Sequence, residues 1–327
     1  MTYPIARHAM PHVLSYVLLL VLTLGVVAAG TAHAQSTNMT VYGYLDMGIV
    51  SETGKGSVLS RGNNNWLGFK GREDLGDGLS AIFNVQMRFN PDTGEQEKSS
   101  TRFQGETTVG LSSIVGSVRL GRALTPLWAQ KYIYDPWYDS AFMGSMSTYN
   151  GNFNSDGLPT VDFSDYSRID NAVYYDSTAI AGLSAHAEVE LQLATGARRR
   201  SRGLSLNYAQ GPATAMLAVE HNRVADRIAY VGGSWRFSAL SVLGAYSRTS
   251  LTGTERAQTS TLVAVTHPIG ADTVRFAYGR IKESRSQKLS LGYNHALSKR
   301  TNLYADLYRE ERITNMHGVA VGMNHTF

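Results

Sequence analysis

Apolar and polar side chains alternate with a period of two along most of this chain. In the segment 79–90, Leu79, Phe83 and Met87 share one face, and Asn84 and Arg88 lie on the other. A period of two is that of a β-strand. The alternation predicts sixteen strands, at roughly 38–50, 64–72, 79–90, 101–112, 116–124, 168–177, 182–193, 202–210, 213–222, 227–237, 239–250, 258–267, 271–282, 286–297, 300–311 and 315–327.

The last of these strands is apolar on one face up to its final residue. Val319, Val321, Met323, His325 and Phe327 share that face. Chain termini in soluble domains are commonly polar and poorly ordered. This ending therefore favours a strand that closes a barrel within a membrane.

The first 34 residues have the pattern of an export signal. Arg7 precedes an apolar run from Val13 to Val27, and the small residues of Ala32–Ala34 follow it. A membrane-spanning helix needs about 20 apolar residues, which is more than this run provides. We expect residues 1–34 to be a signal peptide that is cleaved after Ala34, and residues 35–327 to form a single exported domain.

Composition narrows the class of exported protein. The chain has 30 basic and 26 acidic side chains and no cysteine. Removing residues 1–34 takes away one arginine and no acid, so the mature net charge is 29 minus 26, or +3. This near-balance gives no reason to expect nucleic acid as a partner. Without disulfides, stability must have another source, and a closed hydrogen-bonded barrel is one.

The two faces of the strands also differ in charge. In the segment 182–193, Leu183, Val189 and Leu191 oppose Glu188 and Glu190. Moving a Lys or Arg from the lumen to the bilayer midplane would cost about 2–4 kcal/mol, so the charged face must point inward. A soluble β-sandwich has the same period with its faces exchanged. The signal and the large, even strand count favour an all-β transmembrane antiparallel β-barrel.

Residues 125–167 show no sustained alternation. The segment contains aromatic residues such as Trp128 and Trp137 and acids such as Asp135 and Asp139. A connection of this length is usually functional or disordered, and its aromatic content argues against disorder. We expect it to fold into the lumen and narrow the channel. The alternative is a cap on the outer surface.

Several stretches resemble the general porins of Gram-negative bacteria, of the beta-proteobacterial type. The matching stretches are Val41–Gly48, Leu67–Leu79, Val109–Leu111, Gly116–Arg122, Asp170–Ser177 and Gly322–Phe327. The resemblance implies a sixteen-stranded barrel that assembles as a homotrimer in the outer membrane and lets small hydrophilic solutes diffuse passively. It also implies that the third loop forms the constriction, and that Phe327, with His325, is recognised by the barrel-assembly machinery.

The odd or even position of a residue along its strand, which we call strand parity, predicts which charged side chains line the pore. Basic residues predicted to face the lumen are Lys70, Arg88, Arg102, Arg119, Arg168 and Arg275. Acids predicted to oppose them are Asp46, Glu106, Glu188, Glu190, Asp306 and the loop residues Asp135 and Asp139. Opposed charges across a constriction would create a transverse field that polar solutes tolerate better than apolar ones. Each charge could also be no more than a solvated lumen residue.

Two positions depart from the pattern of these porins. Trp66 and Gly105 stand where relatives often carry arginine, which removes positive charge near the expected constriction. The anion preference usual in such porins therefore does not carry over directly to this chain.

The remaining motifs point to no cofactor. The histidines lack metal-ligand spacing, and no phosphate-binding loop or nucleophile motif is present. The basic run 198–202 is expected in a loop or at the barrel rim, where it would meet anionic lipopolysaccharide. Two rival functions stay open: a substrate-specific outer-membrane channel, and an outer-membrane barrel enzyme with its catalytic groups scattered along the strands.

Overall fold

The computed structural model describes residues 37–62, 64–98, 101–137, 143–151, 167–193, 197–253, 257–312 and 314–327. The predicted signal segment 1–34 and the candidate Asp139 lie outside these residues.

The described chain is built almost entirely of antiparallel strands. They are numbered β1 to β17 in chain order: Thr37–Glu52, Val58–Arg61, Asn65–Gly76, Leu79–Phe89, Thr107–Ser113, Gly116–Leu124, Arg168–Ser177, Leu183–Glu190, Arg202–Gln210, Ala213–His221, Arg227–Arg236, Ser241–Ser250, Ala257–Ile269, Asp272–Ile281, Ser286–Ala296, Thr301–Glu311 and Asn315–Thr326. Both β2 and β3 pair with β1, at successive positions along it. They are two parts of one barrel strand, so the predicted number of sixteen is confirmed.

The sheet closes on itself between its first and last strands. The pairing of β1 with β17 runs from Tyr44 opposite Thr326 to Glu52 opposite Gly318. It extends to the final residue, where Gly43 N donates to Phe327 O at 3.0 Å and Phe327 N donates to Gly43 O at 3.1 Å. The predicted partnership of the two ends is confirmed. Closure satisfies backbone groups that an open edge would leave unpaired.

The strand faces divide as the alternation predicted. On β17, Val321 and Met323 are 49% and 51% exposed, whereas Ala320 and Asn324 beside them are 2% and 3% exposed. On β13, Val263 is 50% exposed and the flanking inward residues are fully buried. The exposed apolar faces form the outer surface of the barrel, which suits contact with lipid tails.

Connections are short at one end of the barrel and longer at the other. At the short end, the pair Asp77 and Gly78 joins β3 to β4 with φ of 51° and 75°. These positive values are those of a type I′ hairpin turn, for which an Asp-Gly pair is well suited. Both described termini of the barrel domain lie at this end.

Two strand predictions need correction. The fourth strand was expected from residue 101 but begins at Thr107, because residues 101–106 form turns that bury Gln104. The four-residue β2 was missed since it is too short to show a period. The other predicted strand boundaries differ from the observed ones by at most four residues.

A single α-helix, α1, spans Pro126–Lys131 within the described residues. Thr125 caps its start by accepting a hydrogen bond from Trp128 N at 3.3 Å, and a proline occupies its first turn. No helix in the part of the chain described here has the length and apolar character needed to cross a membrane.

Candidate pore lining and constriction

The long connection after β6 lies inside the barrel in its described parts, 125–137 and 143–151. Its aromatic residues are almost fully buried: Tyr134 and Trp137 are each 1% exposed, and Tyr149 is 0% exposed. They pack with inward-facing side chains of the strands, such as Met216 and Leu262, in one apolar cluster. The prediction that this loop folds into the barrel is thus confirmed for its described parts.

Glycines on the inner wall make room for these aromatic rings. A Cβ atom on Gly232 would lie 2.6 Å from the ring of Tyr134, and one on Gly279 would lie 2.4 Å from Cβ of Tyr149. A Cβ atom on Gly292 would lie 2.7 Å from Nε1 of Trp137. Strands β11, β14 and β15 therefore each provide a socket for one loop aromatic.

Charged groups of the barrel hold the loop in place. Trp137 Nε1 donates to Asp306 Oδ1, and the Tyr149 hydroxyl donates to Glu310 Oε1, each at 2.7 Å. Arg275 donates to the carbonyl of Pro136 at 2.7 Å. We call the inward faces of β11–β16 the loop wall. Asp306 and Arg275, predicted as lumen charges, serve here as loop anchors.

Lys288 adds a further anchor on the loop wall. Its Nζ donates to the carbonyl of Met143 at 2.7 Å and to that of Ser145 at 2.8 Å. The side chain also lies over the ring of Tyr308, with Nζ 4.6 Å from the ring centroid. The two hydrogen bonds provide a donor for loop carbonyls that would otherwise be buried without one.

Asp135 was predicted as a lumen-facing acid of the loop, and the structure corrects this. Only 5% of the residue is exposed. Its carboxylate accepts from Trp137 N at 3.0 Å, from Ser145 Oγ at 3.0 Å and from Met146 N at 2.8 Å. Burial raises the pKa of this carboxyl, although these hydrogen bonds act against the rise. Asp135 organises the turn of the loop and does not present its charge to the pore.

Lys131 closes the loop from the other side. Its Nζ donates to the carbonyls of Asn150 and Gly151 at 2.8 and 3.0 Å, and it lies 3.6 Å from the ring centroid of Trp128. Burial lowers the pKa of Lys131 to about 7. The described parts of the loop are thereby joined into one packed unit.

The exposed side of the loop is apolar and aromatic. Tyr132 and Ile133, in the 3₁₀ turn after α1, are 38% and 44% exposed. Sequence reasoning missed Ile133, because an isolated aliphatic residue in a loop carries no signal of exposure.

The inward faces of β3–β8 form a second surface, which we call the open wall. Lys70 on β3 points inward and is nevertheless solvent-exposed, with Nζ 5.0 Å from the ring centroid of Tyr42. Tyr42 in turn donates to Asn84 Oδ1 at 2.6 Å. Exposed polar side chains on an inward face show that water reaches this part of the lumen.

One cluster of the open wall is organised by Glu97, from the connection between β4 and β5. Its carboxylate pairs with Arg61 at 2.5 Å and with Arg88 at 3.4 Å, and accepts from Gln104 Nε2. Burial raises the pKa of Glu97, but the two guanidinium groups outweigh it and lower the pKa overall. Arg88 is only 6% exposed. Sequence reasoning did not select Glu97, because it lies outside the alternating segments.

A second cluster surrounds Arg119. Its guanidinium pairs with Glu106 at 2.5 Å and with Asp176 at 2.9 Å. The other oxygen of Asp176 is 2.8 Å from Nδ1 of His186, and His186 Nε2 is 3.2 Å from Ser184 Oγ. Arg119 and Glu106 were both predicted for the lumen, but as charges on opposed surfaces; the structure pairs them on one wall.

The remaining predicted residues take varied positions. Arg168 donates from Nε to the carbonyl of Gly105 at 2.8 Å. Trp66 stacks on Tyr44 with ring centroids 4.8 Å apart. Arg102 is exposed in a turn before β5, so its parity assignment to a strand was wrong.

Asp46 does not line open lumen either. It is 0% exposed, and its carboxylate accepts from the hydroxyls of Tyr304 at 2.7 Å and Tyr44 at 3.3 Å. These contacts connect β1 with β16 across the barrel closure. Parity placed the side chain on the correct face, but it could not reveal the tyrosines that cover it.

Comparison with known proteins decides the family. The sequence profile described as Gram-negative porin matches residues 20–314. The chain belongs to the Gram-negative porin family. It is an outer-membrane porin, a passive channel through that membrane.

Named relatives and a solved structure agree with this assignment. The porin is 28% identical over 318 residues to outer membrane porin protein 32 of Delftia acidovorans, covering 88% of this chain and 87% of that protein. It is 25% identical over 358 residues to an outer membrane porin protein of Bordetella pertussis, with coverage of 85% and 89%. Its fold matches the anion-selective porin from Comamonas acidovorans with a TM-score of 0.75 and 25% identity, over 89% of this chain and 100% of that one.

The C-terminal residues of the porin lie on the outer face of the barrel closure. Phe327 is 41% exposed, and its ring covers Gly43, where a Cβ atom would come within 2.2 Å of Cζ. The His325 ring stacks on that of Phe327 at 6.3 Å, and its Nδ1 lies 2.9 Å from Thr301 Oγ1. Among the residues described, no group of three or more His, Cys, Asp or Glu side chains could hold a metal ion.

Proposed function

We propose that small hydrophilic solutes and ions cross this porin through the space between the open wall and the docked loop, with residues 125–167 as the constriction. One observation carries the proposal. Lys70 points inward and is exposed, whereas the inward side chains of the loop wall, such as Ser290 at 0%, are buried beneath the loop. The water-filled route therefore runs along β3–β6, because the inward Tyr174 on β7 and Glu188 on β8 are each only 1% exposed.

Selectivity along this route is weak in our proposal. The guanidinium groups of Arg88 and Arg119 are each paired with carboxylates on the same wall. Such pairs present little net charge to a passing ion. Lys70 has no ion pair within 4 Å among the described residues, and its positive charge makes the route weakly selective for anions. The related porin from Comamonas acidovorans is described as anion-selective, which agrees in sign.

Planar-bilayer conductance in a salt gradient tests the route and its selectivity. We expect open-channel current with a small reversal potential of the anion-selective sign. Lys70→Glu should move that potential toward cations, because it replaces the exposed positive charge with a negative one. The matched control is Lys299→Glu, an exposed lysine in the turn between β15 and β16. Absence of current from correctly folded protein would refute the proposal, as would equal shifts in the two variants.

We further infer that this porin is a channel and not an enzyme, although Ser184, His186 and Asp176 are connected by hydrogen bonds on the open wall. Asp176 also pairs with Arg119, and the backbone beside Ser184 is committed to strand pairing and to Ser177 Oγ. The N–H of Ala185, next to Ser184, already donates to Ser177 Oγ at 2.8 Å and is therefore not available to an oxyanion. A serine-reactive fluorophosphonate should leave Ser184 unlabelled, and stoichiometric labelling would support the enzyme alternative.

A substrate-specific channel would need binding groups along the route. The inward aromatic residues described near this route are separate from one another: Tyr42 lies beneath Lys70, Trp66 stacks on Tyr44, and Tyr174 on β7 is only 1% exposed. Separate aromatic contacts of this kind favour general diffusion over a continuous binding path. Saturation of the conductance by one class of solute would favour the specific channel.

Export and assembly follow from the same assignment. We propose cleavage after Ala34, a homotrimer, recognition of the Phe327 end by the barrel-assembly machinery, and contact of the outer surface with membrane lipid and lipopolysaccharide, with no nucleic-acid partner. The apolar outward face of β17 supports the membrane contacts. N-terminal sequencing of the mature protein should begin at Gln35, and cross-linking in mild detergent should give a trimer. A different start or a monomer would overturn the corresponding part.

A further inference from the structure

Two glutamates lie buried beneath the start of α1. Glu188 of β8 and Glu220 of β10 are inward residues, 1% and 3% exposed. The register places each of them opposite Gly203 of β9, which separates them without contributing a side chain. Pro126 covers this gap: a Cβ atom on Gly203 would lie 3.1 Å from Pro126 Cδ and 3.5 Å from Glu220 Oε2. We call Glu188 and Glu220 the acid pair.

Each member of the acid pair keeps one buried oxygen that has no hydrogen-bond partner among the described residues. These atoms are Glu188 Oε1 and Glu220 Oε2. The other oxygens have few contacts: Ser201 Oγ donates to Glu188 Oε2 at 3.3 Å, and Thr125 donates to the Glu220 carboxylate. Burying an ionised carboxylate without donors for both oxygens is costly. A protonated carboxyl is neutral and can itself donate, so a bound proton would remove much of this cost.

The charges around the acid pair leave an excess of negative charge when every acid is ionised. Glu190, on the same strand as Glu188, is balanced by Arg223, which donates to its Oε1 from Nε at 2.9 Å and from Nη2 at 2.7 Å. Lys131 of α1 is the cation that acts on Glu220, and it also acts on Asp135. The acid pair therefore has no cation for its second negative charge.

The other titratable side chains that face the acid pair have partners of their own. Tyr174 of β7 lies opposite Glu188 in the register and donates to the carbonyls of Ala123 and Ile169. The remaining groups form the pairs Arg119–Asp176, His186–Asp176 and Arg122–Asp170. None of these side chains supplies a further positive charge to the acid pair.

We propose that the acid pair shares one bound proton at neutral pH, and that this proton holds the start of α1 against β8–β10. When both carboxylates are ionised, they repel each other across Gly203. Loss of the proton therefore places an uncompensated charge beneath Pro126 and loosens the loop. The docked loop binds a proton that the released loop gives up, so docking weakens as pH rises. Only the effect on conductance rests on the proposed function, in which this loop is the constriction.

Tryptophan fluorescence of the full-length porin in detergent, titrated from about pH 6 to about pH 10, tests the proposal. Trp128 and Trp137 lie in the loop and report its docking. We expect the emission to change on the alkaline side. Glu188→Gln should raise the midpoint of this change by about one pH unit or more, because a glutamine is neutral and donates a hydrogen bond at every pH.

The matched control is Glu106→Gln, which alters an inward acid whose described partners are Arg119, Asn84 and Thr108 rather than residues of α1. It should keep the midpoint of the unaltered porin. Glu220→Gln changes the other member of the pair, should also raise the midpoint, and serves if Glu188→Gln does not fold.

Equal midpoints in the unaltered porin and Glu188→Gln would overturn the proposal and assign the change to Lys131, whose pKa burial lowers to about 7. The absence of an alkaline change in the unaltered porin would also overturn it. A midpoint that moves with sodium or magnesium at constant ionic strength would replace the proton with a metal cation.

Bilayer conductance over the same pH range separates this proposal from the proposed function. We expect larger or noisier currents at alkaline pH in the unaltered porin and steady currents in Glu188→Gln. A fluorescence change that Glu188→Gln suppresses, without any change in conductance, would support the proton site and count against the loop as the constriction.

Discussion

Glu97 shows how one residue sets the charge of a lumen surface. It reaches from a connection into a group of arginines, pairing with Arg61 and Arg88 at 2.5 and 3.4 Å. Each pairing reduces the positive field that an anion would meet. Because Arg88 is only 6% exposed, Glu97 also supplies the counter-charge that a buried guanidinium needs.

At this scale we predict that Glu97→Gln makes the channel more anion-selective, because two guanidinium groups lose their counter-charge. The shift should depend on pH. The pKa of Glu97 is lowered from its ordinary 4.5, so its carboxylate stays ionised down to below that value. Any stability that it contributes is present above pH 4.5 and lost as pH falls through the lowered pKa.

Reversal potentials measured from about pH 7 to about pH 3 check this prediction. The difference between Glu97→Gln and the unaltered porin should be constant at neutral pH and shrink as pH falls through the lowered pKa of Glu97, because protonation removes the charge that distinguishes the two side chains. A difference that does not shrink toward acid pH would contradict the role given to Glu97.

The loop after β6 behaves as an element docked into the barrel. Its three aromatic anchors enter sockets at Gly232, Gly279 and Gly292, and barrel side chains satisfy its carbonyls. Packing of this kind leaves no space for an added side chain. The docked position therefore depends on barrel glycines far away in the sequence.

We predict that Gly279→Val releases the loop from its wall, since its Cβ would lie 2.4 Å from Cβ of Tyr149. Overpacking of this kind typically costs about 1–3 kcal/mol. The variant should show larger or noisier single-channel currents and faster trypsin cleavage after Lys131. Gly244→Ala is the control, because the nearest atom there is 3.7 Å away. Equal behaviour of the two variants would count against the sockets.

The whole molecule depends on the meeting of its two ends. The last residue continues the β1–β17 pairing, and its ring covers Gly43 on the outer face. Among the residues that the structure describes, no other backbone hydrogen bond connects positions so distant in sequence. Closure is therefore a property of the complete domain and cannot form from any local segment.

At this scale we predict that Phe327→Ala lowers both the yield of folded barrel and its thermal stability. The lost contact is worth about 1–2 kcal/mol, or a few degrees in a chain of this size. Thermal stability is measured by gel electrophoresis, as the temperature at which the band of the folded barrel is replaced by that of the unfolded chain. Phe237→Ala is the control, because Phe237 is an outward aromatic at the same end and is 53% exposed. A smaller effect at Phe327 than at Phe237 would exclude a special role for the terminus.

The sequence alone determined the strands, the inward charged face and the partnership of β17 with β1, because a two-residue period records which face meets lipid. It also indicated that residues 125–167 enter the lumen. Only the tertiary structure decided what the inward charges do. Asp46 and Asp135 are covered by tyrosine or loop groups, and Glu97 enters from outside the pattern. Parity specifies the direction of a side chain, whereas its partners come from strands and loops distant in sequence, whose positions follow only from barrel closure.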